Sequence, residues 1–289
     1  MISIGFIGAG RLGTAFGLYL VRRGIQVAGY YSRTYAHAKD AADLLGGEVQ
    51  AFHSLRELLE HSDWVAIATN DGAIPQIARD IAESGVHIKE KVVFHMSGAA
   101  TSTLLAPLAD KGALVASLHP LQSFADGISG ARAMEEAVFS VEGHEEAVVR
   151  LSKWVDKLGH TRFLLDAEHK PLYHAAASVA SNSLAGVIGY AVELMMKVGM
   201  DEEKSLSALA PLIKTTVCNV LDKGAARALT GPVARGDIGT VAMHLQALDK
   251  TNPELVSFYK ELGKVTLATA KREQLRNEDA IRQLSKLLE

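Results

Sequence analysis

The sequence predicts an α/β fold, with a doubly wound sheet over residues 1–165 followed by an all-α domain over 166–289. Three observations carry this reading. Apolar strand-like runs alternate with helical patterns up to about residue 165, a glycine-rich turn joins the first strand to the first helix, and the strand pattern stops after Asp166. A chain of 289 residues is long enough for two ordinary domains.

Taken in order, Ile4-Gly5-Phe6-Ile7 reads as a buried strand, and Gly8-Ala9-Gly10-Arg11-Leu12-Gly13 as the turn that opens a helix. Leu12, Ala15, Phe16, Tyr19 and Leu20 then repeat at helical spacing, which is the context a G-x-G-x-x-G turn requires. This reads as a Rossmann-type, dinucleotide-binding start; the alternative is a strand–helix joint that uses glycine only for packing. Gly8 is expected to make the tight turn, Gly10 to let backbone approach a pyrophosphate, and Gly13 to let the helix sit close on the strand. The helix N-terminus offers unpaired N–H groups to the phosphates. Ala9, Arg11 and Leu12 complete the expected contact segment.

The second strand, Gln26 to Tyr31, ends in Ser32-Arg33-Thr34, where an NAD-binding chain would carry an acid for the ribose 2′-hydroxyl. Two hydroxyls and a guanidinium suit a 2′-phosphate instead, so NADP(H) is expected over NAD(H). The alternative is that Arg33 is a solvated loop residue. Further strands are expected at Trp64 to Thr69, Lys91 to Met96, Ala113 to Leu118, Ala137 to Val141 and Thr161 to Leu165, in a parallel sheet with helices on both faces. Ligands of such sheets gather at the carboxyl ends of the strands. Thr69-Asn70-Asp71-Gly72, His95-Met96-Ser97-Gly98 and His119-Pro120-Leu121-Gln122-Ser123-Phe124 should therefore rim the nicotinamide side. Thr69 and Asn70 are expected on the cofactor, and Ser97, His119 and Gln122 on the substrate. His119 and Gln122 could equally hold a turn.

Beyond Asp166, long helical patterns run from about Glu168 to Val198, from Ser205 to Asp222, from Asp237 to Leu248 with Asp237 as N-cap, and onward from Asn252-Pro253-Glu254. The first of these carries Lys170, His174, Ser178 and Asn182 four residues apart, hence along one row of the helix. Their neighbours are small and apolar, and buried polar groups need partners from protein, water or ligand. A hydride delivered to a C=O or C=N carbon calls for a proton on the heteroatom and donors around the developing charge. Lys170 or His174 is the expected acid, Lys170 preferred because desolvation lowers a lysine pKa, with Asn182 and Ser178 orienting the substrate oxygen. The alternative is a set of hydrogen bonds that fixes helix register. Thr230-Gly231-Pro232-Val233-Ala234-Arg235-Gly236-Asp237 reads as a shaped loop whose Arg235 could bind a substrate carboxylate through two parallel hydrogen bonds, or pair with Asp237.

Composition narrows the function classes. The net charge is −3 with no basic block, so nucleic acid is not an expected partner. Cys218 is the single cysteine and no Cys/His spacing suits a metal. No G-x-S-x-G elbow is present, although Ser97 sits at a strand end. Met1 runs directly into the first strand and no apolar run reaches the roughly 20 residues of a membrane span, so a soluble, cytoplasmic protein is expected. The small apolar residues of the helical half suit packing within a subunit or across a homodimer.

The glycine turn, His95-Met96-Ser97-Gly98-Ala99, His119-Pro120-Leu121-Gln122-Ser123-Phe124, Lys170-Pro171-Leu172-Tyr173-His174-Ala175-Ala176-Ala177 and Gly231-Pro232-Val233-Ala234-Arg235-Gly236-Asp237 together resemble the Rossmann-like family that carries the DUF2520 domain. That family is similar in domain plan to ketopantoate reductase, pyrroline-5-carboxylate reductase and the 6-phosphogluconate dehydrogenase group. The resemblance implies an NADP-dependent reductase with a helical dimerisation domain. By likeness to ketopantoate reductases, Lys170 and Asn182 would be the catalytic lysine and asparagine, although their separation is wider than the one-turn spacing usual there and His174 takes the one-turn position. The glycine-rich segment that precedes the catalytic lysine of β-hydroxyacid dehydrogenases is absent. The expected activity is NADPH-dependent reduction of a small carboxylate-bearing carbonyl, with 2-dehydropantoate as leading substrate. An imine reductase of the pyrroline-5-carboxylate type and a non-catalytic NADPH-binding sensor or scaffold are the alternatives.

Overall fold

The computed structural model describes residues 2–289. It divides into two compact units, Met1–Leu184 and Ala185–Glu289. In the first, eight strands form one sheet: β1 (Ser3–Ile7), β2 (Gln26–Tyr31), β3 (Gln50–Ala51), β4 (Trp64–Ile67), β5 (Val92–His95), β6 (Leu114–Leu121), β7 (Val138–Gly143) and β8 (Arg162–Leu164). The order is β3-β2-β1-β4-β5-β6-β7-β8. The reversal of strand order between β1 and β4 leaves the crevice at their carboxyl ends where such sheets bind ligands.

Every residue of β1, β4 and β5 is buried, as expected of central parallel strands covered on both faces. Successive residues point to opposite faces. Phe6, Ala66 and Phe94 enter one core with Phe16, Tyr30, Phe139 and Trp154. Ile7, Ile67 and Val93 enter the other with Leu58, Ile81 and Val115. Two expectations are corrected. The sheet is not wholly parallel, because β7 pairs antiparallel with β6: the intervening chain forms the short helix Gly127–Ala133 at the carboxyl end instead of crossing back over the sheet. The two-residue β3 was missed, being too short to show a period.

The helix Arg11–Arg22 lies close on β2. A Cβ at Gly17 would come within 1.8 Å of the Tyr30 hydroxyl, and that hydroxyl donates to the Gly13 carbonyl at 3.1 Å. The long helical run after the sheet is continuous from Ala167 to Lys197, but it contains a π-turn at Val179–Ser183. The compact first unit reaches Leu184, not residue 165, because Lys170 and Tyr173 on this helix make hydrogen bonds to sheet residues. This helix also corrects the expectation about apolar length. Its mean hydropathy of 1.3 over 18 residues, little of it buried, makes it long and apolar enough to cross a membrane by length and composition. Lys170, His174, Ser178 and Asn182 interrupt it, so no uninterrupted apolar run showed in the sequence.

The second unit is helical. Asp201, Asp237, Asn252 and Asn277 cap Glu202–Lys223, Ile238–Thr251, Pro253–Glu273 and Glu278–Leu288 by accepting hydrogen bonds from first-turn N–H groups. Val241, Leu245, Leu267, Ala270, Leu284 and Leu288 fill its core. The segment expected as a loop around Arg235 instead contains one helical turn, Pro232–Arg235, entered at Gly231 (φ +96°) and left at Gly236 (φ +70°). Glycine supplies the positive φ at both ends of this turn.

Candidate active site

The glycine turn opens a cleft of about 640 Å³ lined by Gly8, Ala9, Gly10, Ser32, Arg33, His37, Thr69 and Asn70 among others. Gly8 has φ +103°, and a Cβ there would stand 2.8 Å from the Ala68 carbonyl oxygen. Gly10, by contrast, is the N-cap of the Arg11–Arg22 helix and nothing lies within 4 Å of its would-be Cβ, which leaves backbone open to an approaching group. That helix has no side-chain cap and no acid in its first turn. Its unpaired N–H groups are therefore left to an anion. Gly13 serves packing: a Cβ there would come within 2.6 Å of the Gly8 carbonyl oxygen. Leu12 packs on the core, Arg11 borders a neighbouring depression with Asp126, and Thr34 is the exposed N-cap of the Tyr35–Leu45 helix. These three do not line the cleft. His37 does, and sequence reasoning missed it; the available signal was a histidine four residues after Arg33, in a helix whose first turn is free of acids. Arg33 and His37 give the ribose end a basic rim that suits a 2′-phosphate.

On the β4 side, the Asn70 side chain accepts from Ala73 N at 3.1 Å and the Thr69 hydroxyl donates to the Asn70 carbonyl at 3.3 Å. On the next strand, β5, the chain leaves His95 into a tight turn. Ser97 Oγ accepts from Ala99 N (3.2 Å) and Ala100 N (2.9 Å). His95 is fully buried; its Nε2 donates to the Thr101 carbonyl at 3.0 Å and its Nδ1 accepts from Ser97 N at 3.3 Å. This pair of bonds requires a neutral ring, and burial pushes the His95 pKa down accordingly.

Lys170 lies beneath this turn. Only 1% of it is exposed, and its Nζ donates to Ser117 Oγ at 2.7 Å and to the Ser97 carbonyl at 3.3 Å. Ser117 Oγ donates to the same carbonyl at 3.1 Å. Burial lowers the Lys170 pKa, while Glu142 and Asp71 work against the shift. Glu142 stands opposite Ser117 in the β6–β7 ladder and accepts from Ser102 N (2.8 Å) and Ser102 Oγ (2.6 Å). Lys170 is thus a buried clamp on the Ser97 turn and not a group presented to solvent.

Above the turn, Gly98 is flanked by two histidines. A Cβ there would meet His174 Cδ2 at 2.7 Å and His119 Nε2 at 2.8 Å. The two rings are 6.3 Å apart, and His119 Nδ1 is hydrogen-bonded to the Tyr173 hydroxyl at 2.7 Å. Burial, with Lys170 and His174 adding to it, brings the His119 pKa down to about 4. The structure therefore gathers Ser97, His119, Lys170 and His174, four of the residues singled out in the sequence, and adds Ser117, Glu142 and Tyr173. Ser117 carried no signal within an apolar strand.

The remaining candidates have other surroundings. The row from Lys170 does not continue to Asn182, because the π-turn inserts an extra residue per turn and rotates the rest of the helix; Asn182 is exposed, and Ser178 is half-buried. The Gln122 side chain holds a turn, accepting from Ser123 N at 2.8 Å and donating to the Ala133 carbonyl at 3.3 Å. Arg235, in the second unit, is exposed and forms no ion pair among the described residues; Asp237 is engaged by Thr240 N (3.0 Å) and Thr240 Oγ (2.7 Å).

Comparison with known proteins accords with this layout. A Rossmann-like domain matches residues 1–120, and a domain of unknown function, DUF2520, matches residues 137–266. The chain joins a Rossmann-like domain to a DUF2520 domain. The fold of both recurs in a protein from Thermotoga maritima at 25% identity, with 94% of this chain and all of that one covered and a TM-score of 0.72. A protein from Bacteroides fragilis described as an NADP oxidoreductase is 23% identical, with 92% and 98% covered and a TM-score of 0.73. An imine reductase from a Pseudomonas species is 18% identical, with 100% and 99% covered and a TM-score of 0.63. No curated protein sequence shows significant similarity to the chain.

Proposed function

We propose that this DUF2520 protein is an NADPH-dependent reductase of a small carbonyl compound that bears a carboxylate, with 2-dehydropantoate as leading substrate. The observation that carries the reading is one juxtaposition. On the neighbouring strands β1, β4, β5 and β6, a glycine-turn cleft with a basic rim adjoins a backbone turn flanked by His119 and His174. Gly10 and the helix N-terminus would hold the pyrophosphate, Ser32, Arg33 and His37 the 2′-phosphate, and Thr69 and Asn70 would border the nicotinamide. When bound, NADPH supplies a hydride, and the chain supplies orientation and a donor at the substrate oxygen. The similar fold of a protein described as an NADP oxidoreductase supports the cofactor, and the substrate class rests on the sequence resemblance to ketopantoate reductases alone.

The test is the loss of NADPH absorbance with purified protein and a panel of 2-dehydropantoate, pyrroline-5-carboxylate and other 2-oxo acids. Turnover confined to 2-dehydropantoate is expected. Turnover confined to the imine would transfer the protein to the imine reductases, and tight NADPH binding without turnover would make it a sensor. A homodimer belongs to the same proposal. The second unit exposes Leu206, Leu212, Leu221, Met243, Phe258 and Val265, an apolar surface that a second copy would cover. Light scattering should return twice the monomer mass.

A further inference from the structure

We infer that His119 delivers the proton to the substrate oxygen through Nε2, and that Tyr173 is a positioning residue that fixes the tautomer of His119 and refills its proton. The inference rests on the reductase reading above. Of the two rings beside Gly98, His119 brings its Nε2 to within 2.8 Å of where a Cβ there would stand, whereas the nearest atom of His174 is a carbon, Cδ2. His119 Nε2 makes no hydrogen bond among the described residues, whereas Nδ1 is occupied by the Tyr173 hydroxyl at 2.7 Å. A phenol is a stronger donor than a neutral imidazole N–H, and an imidazole nitrogen is a better acceptor than a phenol oxygen. Tyr173 therefore donates to Nδ1, and the ring proton sits on Nε2, facing the Gly98 turn.

The surroundings keep this ring neutral. The titratable groups that act on it are Lys170 and His174 on the helix, Asp71 after β4, and His95 on β5. Burial, the Lys170 charge and His174 all oppose a second proton, and only Asp71 favours one. Lys170 thus has an electrostatic part beside its clamp on Ser97: it adds to the burial that keeps His119 a neutral donor over the physiological range.

The proton balance closes within the pair. As the carbonyl oxygen gains an electron pair, the Nε2–H bond breaks and its proton forms the new O–H bond. The Tyr173 O–H bond breaks in concert and its proton passes to Nδ1. His119 ends unchanged in charge with its tautomer exchanged, and Tyr173 is left as phenolate until it recovers a proton from solvent. An alkoxide is far more basic than a phenolate, so the transfer runs downhill. Burial raises the Tyr173 pKa on balance; Ser140, paired with His119 across β6 and β7, carries a buried hydroxyl with no hydrogen-bond partner among the described residues, free to turn to Tyr173 and oppose that rise. It is placed to stabilise the phenolate.

The test uses the full-length protein labelled with ¹⁵N-histidine. NMR should find His119 with a protonated Nε2 and an unprotonated Nδ1 from pH 8 down to about 5. Tyr173→Phe, which removes only the hydroxyl, should make the ring a mixture of tautomers. In turnover, Tyr173→Phe should lower kcat by roughly 10²-fold, the ordinary worth of general acid catalysis. The same variant should change KM by less than about threefold. His119→Gln keeps an N–H near the Nε2 position but cannot relay, and should lose kcat to the same extent. The wild-type kcat should be flat between about pH 6 and 8. A proton found on Nδ1, an unchanged kcat in Tyr173→Phe, or a kcat that falls as a group near pH 6.5 deprotonates would overturn the inference. Failure of the wild type to turn over any substrate would sink the reductase reading instead, while the NMR result would still decide the tautomer.

Discussion

Adding a single methyl group at Gly98 probes the space between the two histidines. In Gly98→Ala the new Cβ would lie 2.7 Å from His174 Cδ2, 2.8 Å from His119 Nε2 and 2.9 Å from His119 Cε1, all closer than non-bonded atoms allow. His174 is exposed and can turn away; His119 is half-buried and tethered to Tyr173, so moving it breaks that hydrogen bond. Overpacking of this kind costs roughly 1–3 kcal/mol. For a protein of this size each kcal/mol lowers Tm by about 2–4 °C, so a drop of roughly 2–12 °C is expected by calorimetry. A misplacement of about 1 Å at a reacting group costs on the order of 10² in rate, which steady-state turnover would read. NADPH affinity should hold, since Gly98 does not line the glycine-turn cleft. In Gly98→Ala/His174→Ala the nearest obstruction is gone, and part of the lost Tm should return without the lost turnover. Wild-type Tm and turnover in Gly98→Ala would refute the packing described.

Three further outcomes are expected. Arg33→Ala should weaken NADPH binding by roughly tenfold or more, as loss of a charge-assisted hydrogen bond does, and leave NADH binding unchanged in calorimetric titration; equal effects on both cofactors would place Arg33 away from the 2′-phosphate. For Lys170 the folded pKa is lowered from the ordinary 10.5, so between the two values the unfolded chain binds more protons and stability rises with pH. Urea melts of Lys170→Met should therefore show the wild type gaining on the variant as pH climbs toward 10.5, and a pH-independent difference would contradict a buried lysine. His119 is neutral in the folded state and protonated when unfolded between pH 6.5 and about 4, so its contribution is lost as pH falls through that window; His119→Gln should flatten the acid side of the stability profile, though not wholly, because His95 is shifted in the same direction.

Local rules account for the parts of this protein that were legible before any contact was known. The strand, glycine turn and helix at residues 4–20 arise from backbone sterics and a 3.6-residue period, and the N-caps at Asp237 and Asn252 from side chains that accept bonds from first-turn N–H groups. The absence of an acid after β2 is likewise a local fact. His37 was overlooked because its part in the cleft depends on how the Tyr35–Leu45 helix leaves the sheet.

The nucleotide-binding half and the change to helices are written in short-range periodicity and turn chemistry, so the order of residues is enough to read them. The roles within the polar cluster are not written there. Lys170 reaches Ser97 and Ser117 across 73 and 53 residues, and Tyr173 reaches His119 across 54; no spacing rule links such positions, and only the packing of one helix turn against the ends of β5 and β6 brings them together. The same packing buries the lysine that the helical row had presented as the acid. A π-turn, invisible to a pattern of fours, then carries Asn182 away from it.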